Sequence, residues 1–245
     1  QTKVLGALKA GSPPDVTLST PPFTSEYVTL GYVQDLTPYI FDEEVGIKDW
    51  EDIFEGFRKE GANYAVDGIY SLPVDKSAEI LYYNKKFFEE NQLEPPKTWD
   101  EMVELSQKIY DITGKPAFGW DNLWSAFMTL NYQFGGQYAD REGNVQFLQD
   151  PTVAKEVLTF FKENIDKGIW RTTGEDKYFS GPFANEIIPM YIGVCVEASY
   201  INMKSDTIQW SAVPIPQKDP GKPYVRTDGH CIEILNMDGD KEKIY

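Results

Sequence analysis

The sequence predicts an α/β fold, and three observations carry that expectation. Short apolar runs alternate with amphipathic helical stretches along the 245 residues. Two helices carry their own start and stop signals, one from Thr98 to Gly114 and one from Asp150-Pro151 to Gly168. Residues 187–196 (IIPMYIGVCV) and 208–216 (IQWSAVPIP) read as strands, the first buried and the second ending in prolines.

Taken in order, residues 11–15 (GSPPD) punctuate the chain ahead of a short strand at 16–19. A turn-rich loop is expected at 20–25 (TPPFTS). Residues 41–60 are charged and aromatic and read as helical in parts, with Trp50, Phe54 and Phe57 at helix-compatible spacing. Residues 68–104 then spell an apolar strand entry, a polar turn after Pro73, a second apolar run ending at Tyr83-Asn84, a short helix and a Pro-Pro break.

The helix after that break opens with a capping box, Thr98 and Glu101. Trp99, Met102, Val103, Ile109 and Tyr110 recur along it at helical spacing. The helix at 150 is expected to have Asp150 as N-cap and Pro151 as first residue, with Val153, Val157, Leu158, Phe161 and Ile165 as its buried stripe. No repeat, low-complexity segment or Gly/Ser linker occurs, so two lobes would be joined by strands.

Composition narrows the function. A net charge of −16 argues against nucleic acid, whose phosphates need Lys and Arg, and against anionic lipid. The charge itself is read as solubility through self-repulsion. No run of about 18 apolar residues occurs to span a membrane. The opening QTKVLGALKAGSPPDV lacks the basic-then-apolar layout of a signal peptide, so any export signal is expected upstream or already removed. Two cysteines, Cys195 and Cys231, are too few for a disulfide scaffold or a four-cysteine zinc site. Both sit among apolar residues and read as buried thiols, and the distance a bond between them would need is open.

Catalytic motifs are missing: no phosphate loop, no GxGxxG, no HExxH and no GxSxG. The single histidine, His230, rules out a multi-histidine metal site, and on a strand it would point away from its neighbour Cys231. No cofactor is implied. The 39 acidic residues belong mostly to solvated faces and turns, yet paired carboxylates far apart in sequence keep a carbohydrate-active hydrolase open as the alternative.

Several segments together resemble the family 1 extracellular solute-binding proteins, the sugar-binding components of bacterial ABC importers to which maltose-binding proteins belong. They are LKAGSPPDV near the start, WEDIFEGF at 50–57, YSLPVDKSAEILYYNKKFF at 70–88, PPKTWDEM at 95–102, FSGPFANEIIPMYIG at 179–193 and WSAVPIPQ at 210–217. The likeness runs over essentially the whole chain, through the order and spacing of motifs that are individually weak. It implies two α/β lobes with a ligand cleft between them, hinge closure on a carbohydrate, an oligosaccharide in the first instance, and delivery by a monomer to a membrane permease. It implies an extracytoplasmic location, periplasmic or as a cell-surface lipoprotein. A non-sugar solute is a further alternative, because a fold does not determine its ligand.

The resemblance also implies that members carry a strand ahead of the helix ending near Ala10 and further helices beyond Tyr245, which would leave the strand at Val16 with an unprotected edge. The lobes map to 1–113 and 114–222, with 223–245 returning to the first. Proposed ligand contacts are Thr20 and Phe23 after the first strand, Asp75 and Ser77 near the first crossover, and Trp120, Asp121 and Trp124 at the start of the second lobe. Glu197 and Tyr200 follow the strand at 190–196, and Asp228 lies near the return crossover. Aromatic rings suit the C–H faces of sugars while carboxylates suit hydroxyls. Core packing is the competing role for Trp124, a helix-start carboxylate for Glu197 and a turn for Asp228. Ser77 stands where maltose-binding relatives carry a sugar-contacting carboxylate, which puts the identity of the sugar in question, and Val196 stands where many relatives carry a tryptophan, so that a stacking contact is missing or has moved.

Overall fold

The computed structural model describes residues 2–236. In chain order the elements begin α1 (Thr2–Ala10), β1 (Val16–Ser19), α2 (Pro21–Thr29), α3 (Thr37–Ile40), α4 (Glu55–Glu60) and β2 (Leu72–Pro73). Next come β3 (Ser77–Asn84), α5 (Lys85–Glu90), α6 (Trp99–Thr113), β4 (Phe118–Trp120), α7 (Leu123–Gln133), α8 (Gln146–Gln149) and α9 (Thr152–Asp166). The remainder is β5 (Trp170–Arg171), α10 (Ser180–Ala184), β6 (Met190–Val194), α11 (Glu197–Lys204), β7 (Trp210–Pro214), β8 (Thr227–Asp228) and β9 (Cys231–Ile234).

These elements form two compact units, each with its own sheet. Among the described residues the first holds 2–76, 140–144 and 228–236; the second holds 77–139 and 145–227. The first unit has a three-stranded antiparallel sheet in the order β1-β9-β2, with Leu18 and Leu72 both paired to Ile232. Alternation along β9 turns Cys231 and Glu233 inward, both buried, while Ile234 is exposed. Leu8, Tyr27, Val28, Val33, Tyr64, Tyr70 and Leu235 form one apolar cluster, and Leu36, Ile40 and Trp50 a second. β1 is an end strand of this sheet, with Val16 and Leu18 exposed.

The second unit is a three-layer α/β body. Its six-stranded mixed sheet runs β5-β4-β6-β3-β7, with β8 also paired to β3. β4 is parallel to β5 and β6, whereas β3 is antiparallel to β6 and β7. Both faces are covered, so its central strands are apolar on both sides. Leu81, Met190 and Ile192 point into a core with α6, α7 and α9, built on Trp99, Trp120 and Trp170. Tyr82 and Tyr191 point the other way, toward Phe179, Phe183 and Ile201 of the layer containing α10 and α11. Trp99 and Trp120 stack at 5.5 Å between centroids, and Trp170 meets Trp99 edge-on at 6.5 Å.

Both halves of the capping box at Thr98 form, and Gly114 ends α6 in the left-handed region at φ 65°. Elsewhere the structure departs from the local reading. The loop expected at 20–25 is the first part of α2, because Pro21 and Pro22 occupy the first helical turn, where a missing N–H costs nothing. α9 starts at Thr152, one residue later than expected, with Asp150 Oδ1 accepting from Thr152 N at 3.1 Å. Its buried residues are Ala154, Val157, Phe161 and Asn164, while Leu158, about 100° further round than Val157, is exposed. The strand expected from 187 begins at Met190 and leaves Ile187 exposed. Of the aromatic trio at 50–57, only Trp50 is buried, and Phe54 is exposed just before α4.

By packing, residues 77–113 go with the second unit, whereas the mapping implied by the family resemblance placed the lobe boundary at about 113. The buried stripe of α6, Trp99, Met102, Leu105 and Ile109, belongs to the core that contains Trp120 and Trp170. Cys231 is a buried free thiol as expected; Cys195 is free but exposed. No helix among the described residues is long and apolar enough to cross a membrane.

Candidate ligand-binding site

The most organised polar cluster lies in the second unit, where β3 meets α7. Asn122 caps α7, its Oδ1 accepting from Trp124 N at 3.0 Å and Ser125 N at 3.2 Å. That first turn aims Trp124 outward, 46% exposed, and turns Ser125 and Thr129, one helical turn apart, inward. Both meet Glu79, a carboxylate 4% exposed on the otherwise apolar β3. Glu79 Oε1 accepts from Trp120 Nε1 at 2.9 Å and Ser125 Oγ at 2.5 Å, and Oε2 accepts from Thr129 Oγ1 at 2.8 Å. A buried carboxylate is tolerated when its oxygens are satisfied in this way.

Arg226 extends this network to the surface. Its Nη1 donates to Ser125 Oγ at 3.2 Å, and the guanidinium carbon lies 5.0 Å from the Trp124 ring centroid. Trp124 Nε1 donates to Tyr138 Oη at 3.2 Å, and Tyr138 packs with Phe127 and Phe147. Trp120, by contrast, is 1% exposed, with one face against Trp99 and its N–H spent on Glu79. It supports the network from below and offers no open ring face.

A second polar group lies at the ends of β4 and β6. Asp121 Oδ1 accepts from Phe179 N at 2.5 Å. Burial first, and then the neighbouring Glu197 carboxyl, push Asp121 up to about 9, so it keeps its proton at neutral pH. Tyr191 Oη donates to Glu197 Oε2 at 3.1 Å, and the Tyr191 hydroxyl is raised by burial and then by Glu197. A side chain at Gly193 would bring Cβ to 2.8 Å from Glu197 Oε1, so glycine lets Glu197 fold back over the strand. Glu197 is buried, and Tyr200, a helical turn away, is half exposed. Ser77 Oγ lies 3.1 Å from Cys195 Sγ in the same unit.

The other proposed contacts fall in the first unit. Asp75 Oδ1 accepts from His230 N at 2.8 Å, and Asp75 Oδ2 lies 3.0 Å from His230 Nδ1. The His230 N–H, and then the ring, hold the Asp75 carboxyl below the usual carboxylate range. Gly229, at φ 137°, brings the two loops so close that a Cβ would lie 2.0 Å from Asp75 O. Asp228 Oδ1 accepts from Gly229 N at 2.9 Å. Thr20 precedes α2 without a side-chain cap, and Phe23 packs partly buried on the Leu8–Tyr27 cluster. Asp75 and Asp228 therefore adjoin one another's loops, whereas Thr20 and Phe23 stand at α2.

Glu79, Ser125, Thr129, Tyr138 and Arg226 were absent from the sequence reading. Two signals pointed to three of them: a lone carboxylate inside the apolar run AEILYY, and hydroxyls at i and i+4 after an Asn cap. Among the described residues no group of three or more His, Cys, Asp or Glu could hold a metal ion.

Known proteins place this arrangement in a class. The sugar-binding protein MalE from the phytopathogen Xanthomonas citri superposes with a TM-score of 0.82 at 18% identity, covering 99% of this chain and 62% of that one. UgpB from Mycobacterium tuberculosis, solved with glycerophosphocholine, gives 0.78 at 21% identity, covering 99% and 63%. The fold is thus periplasmic-binding-protein-like. The chain matches the family described as bacterial extracellular solute-binding protein over residues 1–243 and belongs to it. That family acts outside the cytoplasm. A curated relative, the maltotriose-binding protein of Pyrococcus abyssi, is 29% identical over 160 residues, which are 65% of this chain and 33% of that protein. The chain thus spans about a third of the length of that curated relative and less than two thirds of the two solved chains.

Proposed function

We propose that this chain is the ligand-binding part of an ABC-importer receptor that captures a carbohydrate, an oligosaccharide in the first instance, and hands it unchanged to a membrane permease. The observation that carries the reading is Trp124, a large aromatic ring held half exposed by a capped helix, with the Arg226 guanidinium and the Tyr138 hydroxyl beside it. Such a surface packs against the C–H face of a pyranose while polar groups take its hydroxyls. Tyr200, Asp121 and Glu197 in the second unit, with Ser77, are further contacts on this reading, as are Thr20, Phe23, Asp75 and Asp228 in the first. Trp120 acts beneath the surface. The receptor works as a monomer and needs no cofactor. The maltotriose-binding relative supports the sugar class.

Isothermal titration and thermal shift across a glycan panel headed by maltotriose test this. A ligand at 100 times its Kd raises stability by about 2.7 kcal/mol. Hydrolysis of any glycan in the panel overturns the receptor reading in favour of a hydrolase. Glycerophosphocholine belongs in the same screen, because a cationic Arg226 beside an aromatic ring also suits a phosphodiester and because UgpB was solved with that ligand. A response to it alone moves the assignment to a non-sugar solute.

A further inference from the structure

We infer that Arg226 and Ser125 are positioning residues for the Trp124 ring, driven from beneath by the buried Glu79 carboxylate. This rests on the reading of Trp124 as a ligand platform. A serine hydroxyl has one proton, and Ser125 spends it on Glu79 Oε1 at 2.5 Å. Its lone pairs are thereby turned away from Glu79, where Arg226 Nη1 donates at 3.2 Å. The guanidinium so held lies over the indole at 5.0 Å and covers one of its two faces. On the indole edge, the N–H is tied to Tyr138. The ring is thus fixed as a platform with one stacking face, and the buried carboxyl group of Glu79 sets, through Ser125, the orientation of a cation near the surface. Thr129 also bonds Glu79 but lies outside this chain of donors.

Acrylamide quenching of tryptophan fluorescence tests the relay without any ligand. The Trp124 contribution is the difference between each protein and its Trp124→Phe counterpart. Arg226→Ala should raise the Trp124 quenching constant about twofold, because a second ring face opens to solvent. Ser125→Ala should move it in the same direction, Arg226→Lys should restore part of the protection, and Thr129→Val, with Glu79 still bonded to Trp120 and Ser125, should leave it unchanged. Unchanged quenching in both alanine variants, or an equal rise in Thr129→Val, overturns the inference. With maltotriose as probe, Arg226→Ala and Ser125→Ala should each weaken binding about tenfold, and the double variant should be no worse than Arg226→Ala. Additive losses overturn the coupling. If the wild-type chain binds no glycan while the quenching pattern holds, the sugar reading falls and the relay stands.

Discussion

Replacing Glu233 by Gln should stabilise the first unit in a strongly pH-dependent way. Glu233 sits on β9 with no exposed surface, and no arginine or lysine is paired with it in the described network. Its Oε1 accepts from Ser19 Oγ and, at 3.4 Å, from Thr24 Oγ1, while Oε2 has no partner among the described residues. Burial pushes this carboxyl from 4.5 up to about 7, against the opposing effect of the two hydroxyls. A raised carboxyl pKa means that the folded state holds the proton more tightly than the unfolded chain. Stability from this group is therefore complete below about pH 4.5, falls as pH rises, and is lost above about pH 7.

The span from 4.5 to about 7 is about 2.5 pH units, which at ~1.36 kcal/mol each is ~3 kcal/mol. Glu233→Gln keeps an acceptor for Ser19 and has no charge to desolvate, so it should match wild type near pH 4.5 and exceed it by up to ~3 kcal/mol at pH 8. Urea unfolding at pH 4.5, 6 and 8 measures this. Reaction of Cys231 with a thiol reagent, in a Cys195→Ser background, assigns the change to the first unit, since Cys231 is buried beside Thr24 and Ser19. The Glu233 charge also helps to raise the Cys231 thiol pKa, so each rate is referred to that of the same variant unfolded in urea at the same pH. A parallel pH dependence for Glu233→Gln and wild type would refute the reasoning.

Other outcomes are expected in the second unit. Asp121, pushed up to about 9 by burial and Glu197, should cost stability progressively as pH rises from about 4 through about 9, and Asp121→Asn should flatten that profile in urea unfolding between pH 7 and 10. Gly119→Ala should destabilise by ~1–3 kcal/mol, because its Cβ would lie 2.1 Å from Phe179 Cζ in a filled layer; an unchanged melting temperature would contradict this. Trp124→Ala should lose glycan binding in titration calorimetry while still unfolding cooperatively, at a cost of ~1–3 kcal/mol for the buried half of the ring and its contacts to Tyr138 and Arg226.

What could be read from the chain was local. The capped helix α6 follows from Thr98, Glu101 and Gly114, which interact within a few residues of one another, so its ends are legible before any packing is known. The same holds for the α/β class, because strand and helix periodicities are properties of short windows. Leu158 escaped that logic: both it and Val157 fit an apolar stripe, and only the surface met by α9 determines which of them is buried. Trp120 escaped it too, since its stacking on Trp99 and its bond to Glu79 join residues 21 and 41 positions apart.

The sequence by itself determined the class of fold, the order of its elements and the resemblance to binding proteins, because each is encoded in spacing along one chain. Only the tertiary structure decided that 77–113 packs with the second unit, that Trp120 is buried with its N–H on Glu79, and that Arg226 donates to Ser125, which in turn donates to Glu79. Those outcomes depend on strands and helices distant in sequence converging in space, and a hydroxyl's single proton acquires a direction only once both of its neighbours are in place.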